Sequence, residues 1–241
     1  MNFAIIAAGE GSRLVQEGIA LPKPLVNLCG KPMIRRLIDI FLENNAETIS
    51  VIVNEQMTEV RDFLFNLKNE LPVPLNIVVR STPSSMHSFY EVSSVFPESG
   101  KFILTTVDTI FRPGDFSDYV RMFEESDADG AMGVTDFIDD EKPLYVETDK
   151  DLFITAFRDE PYPGMKYISG GIYGLTPRAL GILRESVEKG VKRMRNFQRE
   201  LVGAGLRLKA VPFSKIIDVD HASDILTAEE FLLNNHTESD L

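Results

Sequence analysis

A single cysteine, Cys29, stands in 241 residues. No disulfide can form within the chain, and a reducing compartment suits it, as a disulfide-free secreted setting would. Positive charge is scarce as well: 25 Lys and Arg face 37 Asp and Glu, a formal net charge of −12. That balance argues against a broad nucleic-acid surface, because phosphate backbones are bound by basic faces. Long hydrophobic runs are missing. The opening MNFAIIAAG carries no basic residue, and its apolar stretch is too short for a signal-peptide core or a membrane span. A cytoplasmic protein with no membrane partner is the expectation. There is no internal repeat and no low-complexity segment, and the terminal NNHTESDL is polar and expected to fray.

What is present is ample apolar material, 44% of residues, enough for the core of one domain over 1–241. The first 36 residues hold Arg13, Lys23, Lys31, Arg35 and Arg36 against Glu10 and Glu17, a local +3 that leaves −15 for the remainder. A small anion can be held there within an acidic protein. NFAIIAA is a continuous apolar run ending at glycine, the pattern of a strand buried on both faces of a parallel sheet. Strand-like TISVIVN, LNIVVRS and KFILTTVDTIF then alternate with helical PMIRRLIDIFLENN, EQMTEVRDFLFNLKN and SMHSFYEVSSVF. Such alternation predicts an α/β fold, doubly wound, with a mainly parallel, Rossmann-like sheet. After about Asp136 the strand-like runs PLYVETD, DLFITAFRD and KYISGGIYGL follow one another without long helices, so a β-rich second half, about 136–241, is expected beside a first half of about 1–135. Helices PRALGILRESVEKG and RMRNFQRELVGAG, a strand LRLKAVPF and a last helix from about Ala222 to Asn234 close the chain.

The first strand empties into AAGEGSRLVQEGIALPKPLVNLCGKPM, residues 7–33. Gly9 and Gly11 lie where open α/β sheets bind ligands, at a strand's carboxyl end, and glycine lets backbone amides approach a phosphate. Neither a Walker A loop nor a dinucleotide fingerprint fits, since Leu14 takes the third glycine position and the loop continues through Pro22 and Pro24. A plain strand-to-helix turn accounts for two glycines but not for so long a basic loop. Pro22 and Pro24 restrict the backbone around Lys23 to extended conformations, which aims the ammonium. With Arg13 it suits the charge on an α-phosphate and a departing pyrophosphate.

AAGEGSRL, LPKPLVNL and CGKPMI together resemble the signature of the nucleotidylyltransferase family that makes nucleotide sugars, a sugar-phosphate nucleotidylyltransferase of the nucleotide-diphospho-sugar transferase fold. The resemblance implies transfer of a nucleotidyl group from a nucleoside triphosphate, with Mg2+, to a phosphorylated small-molecule acceptor, releasing pyrophosphate. It further implies nucleotide contacts at Ala7, Ala8, Gly9 and Gly11, with Arg13 and Lys23 on the phosphates. STPSSMHSFYEV resembles the segment bearing ribose and base contacts, with Ser84, Ser85 and Ser88 as donors, Ser85 and Ser88 foremost. His87 is a binding residue or a structural one, since an ionised acceptor phosphate needs no base.

Magnesium takes hard oxygen ligands. Asp108, after the strand FILTTV, resembles one of the family's ligands, with Val107 where glycine is common. Asp218 in IIDVDHASDI resembles the second, with Asp220 as its rival; Asp220 can equally cap the last helix. On the acceptor side, Glu160, Ser169, Gly170 and Gly171 align with motifs E-K-P and N-A-G-x-Y. Pro161 replaces the lysine and Ser169 the asparagine, and Lys166 is a candidate substitute for the missing charge. A sugar 1-phosphate is the first reading for the acceptor. The alternatives are a cytidylyl or guanylyl transferase acting on a phosphocholine-like or phosphonate acceptor, and a nucleotide or sugar-nucleotide sensor without turnover. A homo-oligomer stays open.

Overall fold

The computed structural model describes residues 1–97, 99–139 and 141–234; residues 235–241 of the polar tail expected to fray lie outside the described residues. In chain order the elements are β1 (Asn2–Ala7), α1 (Ser12–Gln16), β2 (Asn27–Leu28), β3 (Lys31–Pro32), α2 (Met33–Glu43), β4 (Thr48–Val53), α3 (Thr58–Lys68), β5 (Leu75–Val79) and α4 (Ser85–Ser93). Then come β6 (Phe102–Thr106), β7 (Thr109–Ile110), α5 (Pro113–Glu125), β8 (Gly130–Thr135), β9 (Tyr145–Thr148), β10 (Ile154–Arg158) and β11 (Tyr167–Leu175). Helices α6 (Arg178–Glu188) and α7 (Met194–Gly203), strands β12 (Leu208–Pro212) and β13 (Ile217–Asp218), and α8 (Ala222–Leu233) complete it.

A nine-stranded sheet runs β10-β9-β11-β6-β1-β4-β5, with β8 on β11 and β12 on β8. Strands β6, β1, β4 and β5 are parallel, and β11 joins β6 antiparallel, so strand direction reverses between β6 and β11. All six residues of β1 are buried, as a continuous apolar run in a central strand requires. Helices α2, α3 and α5 cover one face through Leu37, Phe41, Val60, Leu64, Phe116 and Val120. Phe3 of β1 stacks on Phe41 with ring centroids 4.5 Å apart, which anchors α2. Helices α4, α6 and α7 cover the other face through Phe89, Val92, Leu183, Phe197 and Leu201.

A third cluster joins Leu14, Val26, Leu28 and Met33 of the N-terminal loop to Ile217, Val219, Ala228 and Phe231. The end of the chain therefore packs against the loop near its beginning. From β1 the parallel order runs outward to β4 and β5, then returns to β6 on the opposite side of β1. The carboxyl ends of β1 and β6 form the switch point at which open α/β sheets make their crevice.

Candidate active site

The crevice is a cleft of about 700 Å³, lined by Ala8, Gly9, Gly11, Arg13, Lys23, Ser85, Ser88, Asp108 and Asp220 among others. Ala7, the last residue of β1, points into the core instead. Gly9 has open space where a Cβ would be, which leaves its backbone accessible from the cleft. Gly11 is needed for another reason: its φ is 61°, and a Cβ there would meet the Lys23 Cβ at 2.8 Å. The glycine at this turn makes room for the lysine stem.

Pro22 is extended, at φ −55° and ψ 139°, as a proline-flanked lysine leads one to expect. Lys23–Leu25, however, winds into a single 3-10 turn, with the Leu25 N–H donating to the Pro22 carbonyl at 2.8 Å and the Val26 N–H to that of Lys23 at 3.1 Å. The extended expectation at Lys23 itself is thus corrected: two local hydrogen bonds outweigh the preference that a following proline imposes. The turn buries Lys23 to 7% exposure. A buried ammonium requires a partner, and it has two, the carboxylates of Asp108 and Asp220, the latter at 2.6 Å. Burial alone would depress the lysine pKa, but the two carboxylates outweigh it and the ammonium is held above its ordinary value. Arg13 donates to the other oxygen of Asp220 at 2.8 Å.

Asp108 occupies the turn between β6 and β7, and Asp218 ends β13, which pairs antiparallel with β7. The two-stranded ribbon carries both carboxylates to the same spot. Burial would raise Asp108, yet the Lys23 ammonium dominates and keeps it below the usual carboxylate value. Asp218 goes the other way. More than a third of it is open to the cleft, yet crowding by protein and then the neighbouring Asp108 charge push its carboxyl up to about 8. Thr109 donates to Asp218 Oδ1 at 3.2 Å, and Thr106 and Thr109 hydroxyls lie 2.6 Å apart. These hydroxyls fit only because residue 171 is glycine at φ 73°; a Cβ there would lie 2.5 Å from the Thr109 hydroxyl oxygen.

Two carboxylates that repel each other, with the Thr106 and Thr109 hydroxyls beside them, are oxygen donors of the kind a hard divalent cation takes. Among the described residues no group of three acidic, histidine or cysteine side chains gathers, so remaining positions would fall to water or phosphate oxygens. Both oxygens of Asp220 are engaged by Lys23 and Arg13, and Lys23 also holds Asp108, so either Asp218 or Asp220 can supply the second carboxylate. Asp220 does not cap α8. His221 is the N-cap, and Asp224 accepts from the Asp220 and His221 amides at 2.9 and 2.7 Å.

A second cleft of about 450 Å³ adjoins the first and shares Ser85, Thr106, Asp108 and Asp220 with it. Its far wall is Ser169, Gly171 and Tyr173 of β11 with Arg193, Met194, Arg195 and Gln198 around the start of α7. Gly170 lines a separate small cavity of about 60 Å³ with Ile216 and His221. Glu160 is exposed in the turn after β10 and lines none of these spaces. Its neighbour Asp159 is the residue that faces α7, bridging Arg195 and Arg199 at 2.8 Å each. Lys166 is likewise absent from the cleft walls, its ammonium lying 4.9 Å over the Tyr167 ring. The cations that do line the second cleft are Arg193 and Arg195, the latter paired with Asp159, and neither was singled out in the sequence. Arg193 has the positive φ of 73°, a conformation in which a non-glycine residue is uncommon and worth functional attention. His87 lies off the cleft and meets the Ser84 hydroxyl at 2.8 Å, a structural role. Asn54 was also missed in the sequence. It lines the first cleft while tying strand ends together, accepting from Ser81 at 3.0 Å and the Gln56 amide at 2.9 Å.

The profile of a family described as "Nucleotidyl transferase" matches residues 4–235. "Bifunctional protein GlmU" of Methanococcus maripaludis is 25% identical over 97% of this chain and 55% of its own length, so the chain spans about half of that relative. "Mannose-1-phosphate guanyltransferase" of Hypocrea jecorina is 31% identical over 83 residues, 34% of this chain and 23% of the relative. A solved structure described as the inositol-1-phosphate CTP transferase from T. maritima superposes with a TM-score of 0.78 at 20% identity, covering 95% of this chain and 96% of that one; at that identity the likeness is one of fold. With a profile match across nearly its whole length, and with glycine loop, lysine and strand-end carboxylates converging on one crevice, the chain belongs to the nucleotidyl transferase family.

Proposed function

We propose that the protein transfers a nucleotidyl group from a nucleoside triphosphate to a phosphorylated polyol, a sugar 1-phosphate foremost, with release of pyrophosphate. One observation carries this reading: two adjoining clefts share Asp108, Asp220, Ser85 and Thr106 at their junction, with the cations of Arg13 and Lys23 on one side and those of Arg193 and Arg195 on the other. Each cleft is provided for an anion, and the junction is where two phosphates would meet.

The triphosphate lies along Ala8 to Gly11, its base toward Ser85 and Ser88, and draws Lys23 and Arg13 away from Asp220. Arg193 and Arg195 orient the acceptor phosphate. One of its oxygens attacks the α-phosphorus, the bond from that phosphorus to the bridging α–β oxygen breaks, and the electron pair leaves with pyrophosphate. Lys23 and Arg13 offset the charge that accumulates, the electrostatic and positional catalysis typical of phosphoryl chemistry. Asp108, with Asp218 or Asp220, would hold Mg2+, which when bound screens the reacting phosphates and supplies Lewis acidity.

A polyol suits the second cleft better than phosphocholine. Tyr173 is the one aromatic ring among its lining residues, and two arginines face it, whereas quaternary ammonium groups are held by aromatic cages. The named acceptors of the mannose-1-phosphate and inositol-1-phosphate relatives support the same class. The test is pyrophosphate release with each of the four ribonucleoside triphosphates and thymidine triphosphate against mannose, glucose and inositol 1-phosphates, phosphocholine and a phosphonate. Turnover of a polyol phosphate is expected. Turnover confined to phosphocholine or the phosphonate would overturn the acceptor class, and tight nucleotide binding without pyrophosphate from any acceptor would make the protein a sensor.

A further inference from the structure

Helix α7 buries Met194, Phe197, Gln198 and Leu201. Three of these are core hydrophobes; Gln198 is a primary amide at 2% exposure. A buried amide demands hydrogen-bond partners for both ends. The Ser169 hydroxyl donates to Gln198 Oε1 at 2.9 Å, which satisfies the carbonyl end. The amide nitrogen has no partner among the described residues, and Gln198 lines the second cleft.

The orientation of that amide is set from β11. Ser169, Gly171 and Tyr173 alternate along the strand and share its cleft-facing side, and the pairing of β11 with β8 slips between Ser169 and Tyr173, an irregularity of the kind that re-aims side chains. With its proton directed at Gln198 Oε1, the Ser169 hydroxyl fixes which end of the amide faces the strand. The amide hydrogens of Gln198 then point into the cleft.

We infer that Gln198, oriented by the Ser169 hydroxyl, is a specificity-determining residue that donates a hydrogen bond to an oxygen of the acceptor's polyol body, at a point separate from its phosphate. The inference rests on the polyol-phosphate reading above and deepens it. The arginines recognise the charge that all candidate acceptors share. Gln198 distinguishes them, because a site built to bond an oxygen leaves a buried donor unpaired when that oxygen is missing. Ser169 is the positioning residue in this scheme.

The test uses mannose, glucose and myo-inositol 1-phosphates, each beside its monodeoxy analogues, with pyrophosphate release measured for wild type, Gln198→Leu and Ser169→Ala. Wild type is expected to prefer the best parent acceptor over one deoxy analogue by on the order of 10-fold in kcat/KM, the worth of one neutral hydrogen bond. Gln198→Leu is expected to bring that ratio to about 1 while leaving the KM for the triphosphate within about twofold, as the loss of a single acceptor contact predicts. Ser169→Ala, which removes one oxygen from β11 and frees the amide to rotate, should give an intermediate ratio, and it carries the test if Gln198→Leu fails to fold. A ratio unchanged in either folded variant overturns the inference alone. Failure of all three parent acceptors to turn over overturns the polyol reading, and this inference with it.

Discussion

The first and second clefts of the crevice are built differently. The first takes its glycines and both its cations, Arg13 and Lys23, from one segment, 8–23, and completes its wall with a second run, 82–88, and with Asp108. The second takes Ser169, Gly171 and Tyr173 from an antiparallel strand and Arg193, Arg195 and Gln198 from a helix that begins about 20 residues later. Local assembly leaves a pattern that reads along the chain. Assembly from distant elements leaves isolated residues whose neighbours in sequence face elsewhere.

The comparison can be broken by substitutions that act on one side only. The largest effect is expected at Lys23. Lys23→Ala should lower kcat by on the order of 10² to 10³, the cost of losing one preorganised group at developing charge, with far-UV circular dichroism unchanged; near-full turnover would remove Lys23 from the reaction. Arg193→Gln comes next, with a rise of roughly 10- to 100-fold in the acceptor KM, the worth of charge-assisted hydrogen bonds, and little change in the triphosphate KM. Equal effects on both KM values would merge the two sides into one.

Gly171→Ala tests the floor common to both. Its positive φ and the approach of Thr109 and Thr106 predict a loss of about 1–3 kcal/mol in stability, read as a lower Tm.

The smallest effect concerns the strap that holds the nucleotide loop to α8. Glu17 accepts from the Ala222 amide and meets His221 Nδ1, both at 2.6 Å. The Glu17 hydrogen bond raises His221 above its ordinary 6.5, a contribution full below that pH and lost as pH rises through the folded value. The Ala222 amide and then His221 lower Glu17 below its ordinary 4.5, a contribution full above that pH and lost as pH falls. Both act together between 4.5 and 6.5. The Tm difference between wild type and Glu17→Gln should therefore peak in that window and shrink on either side; a flat difference from pH 4 to 9 would dissociate the pair from stability.

The same contrast explains what the sequence disclosed. The α/β alternation, the glycine loop and both strand-end carboxylates were legible because each follows an apolar run that folds as a unit. Lys23 was legible as a residue of the crevice wall, although its 3-10 turn was not, since two local hydrogen bonds decide it. Glu160 is exposed in the turn after β10, where the carboxylate that meets α7 is its neighbour Asp159. Arg193, Arg195 and Gln198 went unread because a basic, amphipathic segment looks the same whether its polar face meets solvent or a cleft, and no residue type announces the positive φ at Arg193.

Lys23 has a further consequence. The carboxylates of Asp108 and Asp220 are brought together from positions 112 residues apart in the chain, and the ammonium between them is their internal counter-ion. The crevice is thus electrically prepared as the chain folds, so a chelator should leave Tm unaltered while abolishing turnover. On the proposed function the metal would be a reagent rather than a structural part, and the triphosphate would enter by exchange, taking the lysine from one set of oxygens to another.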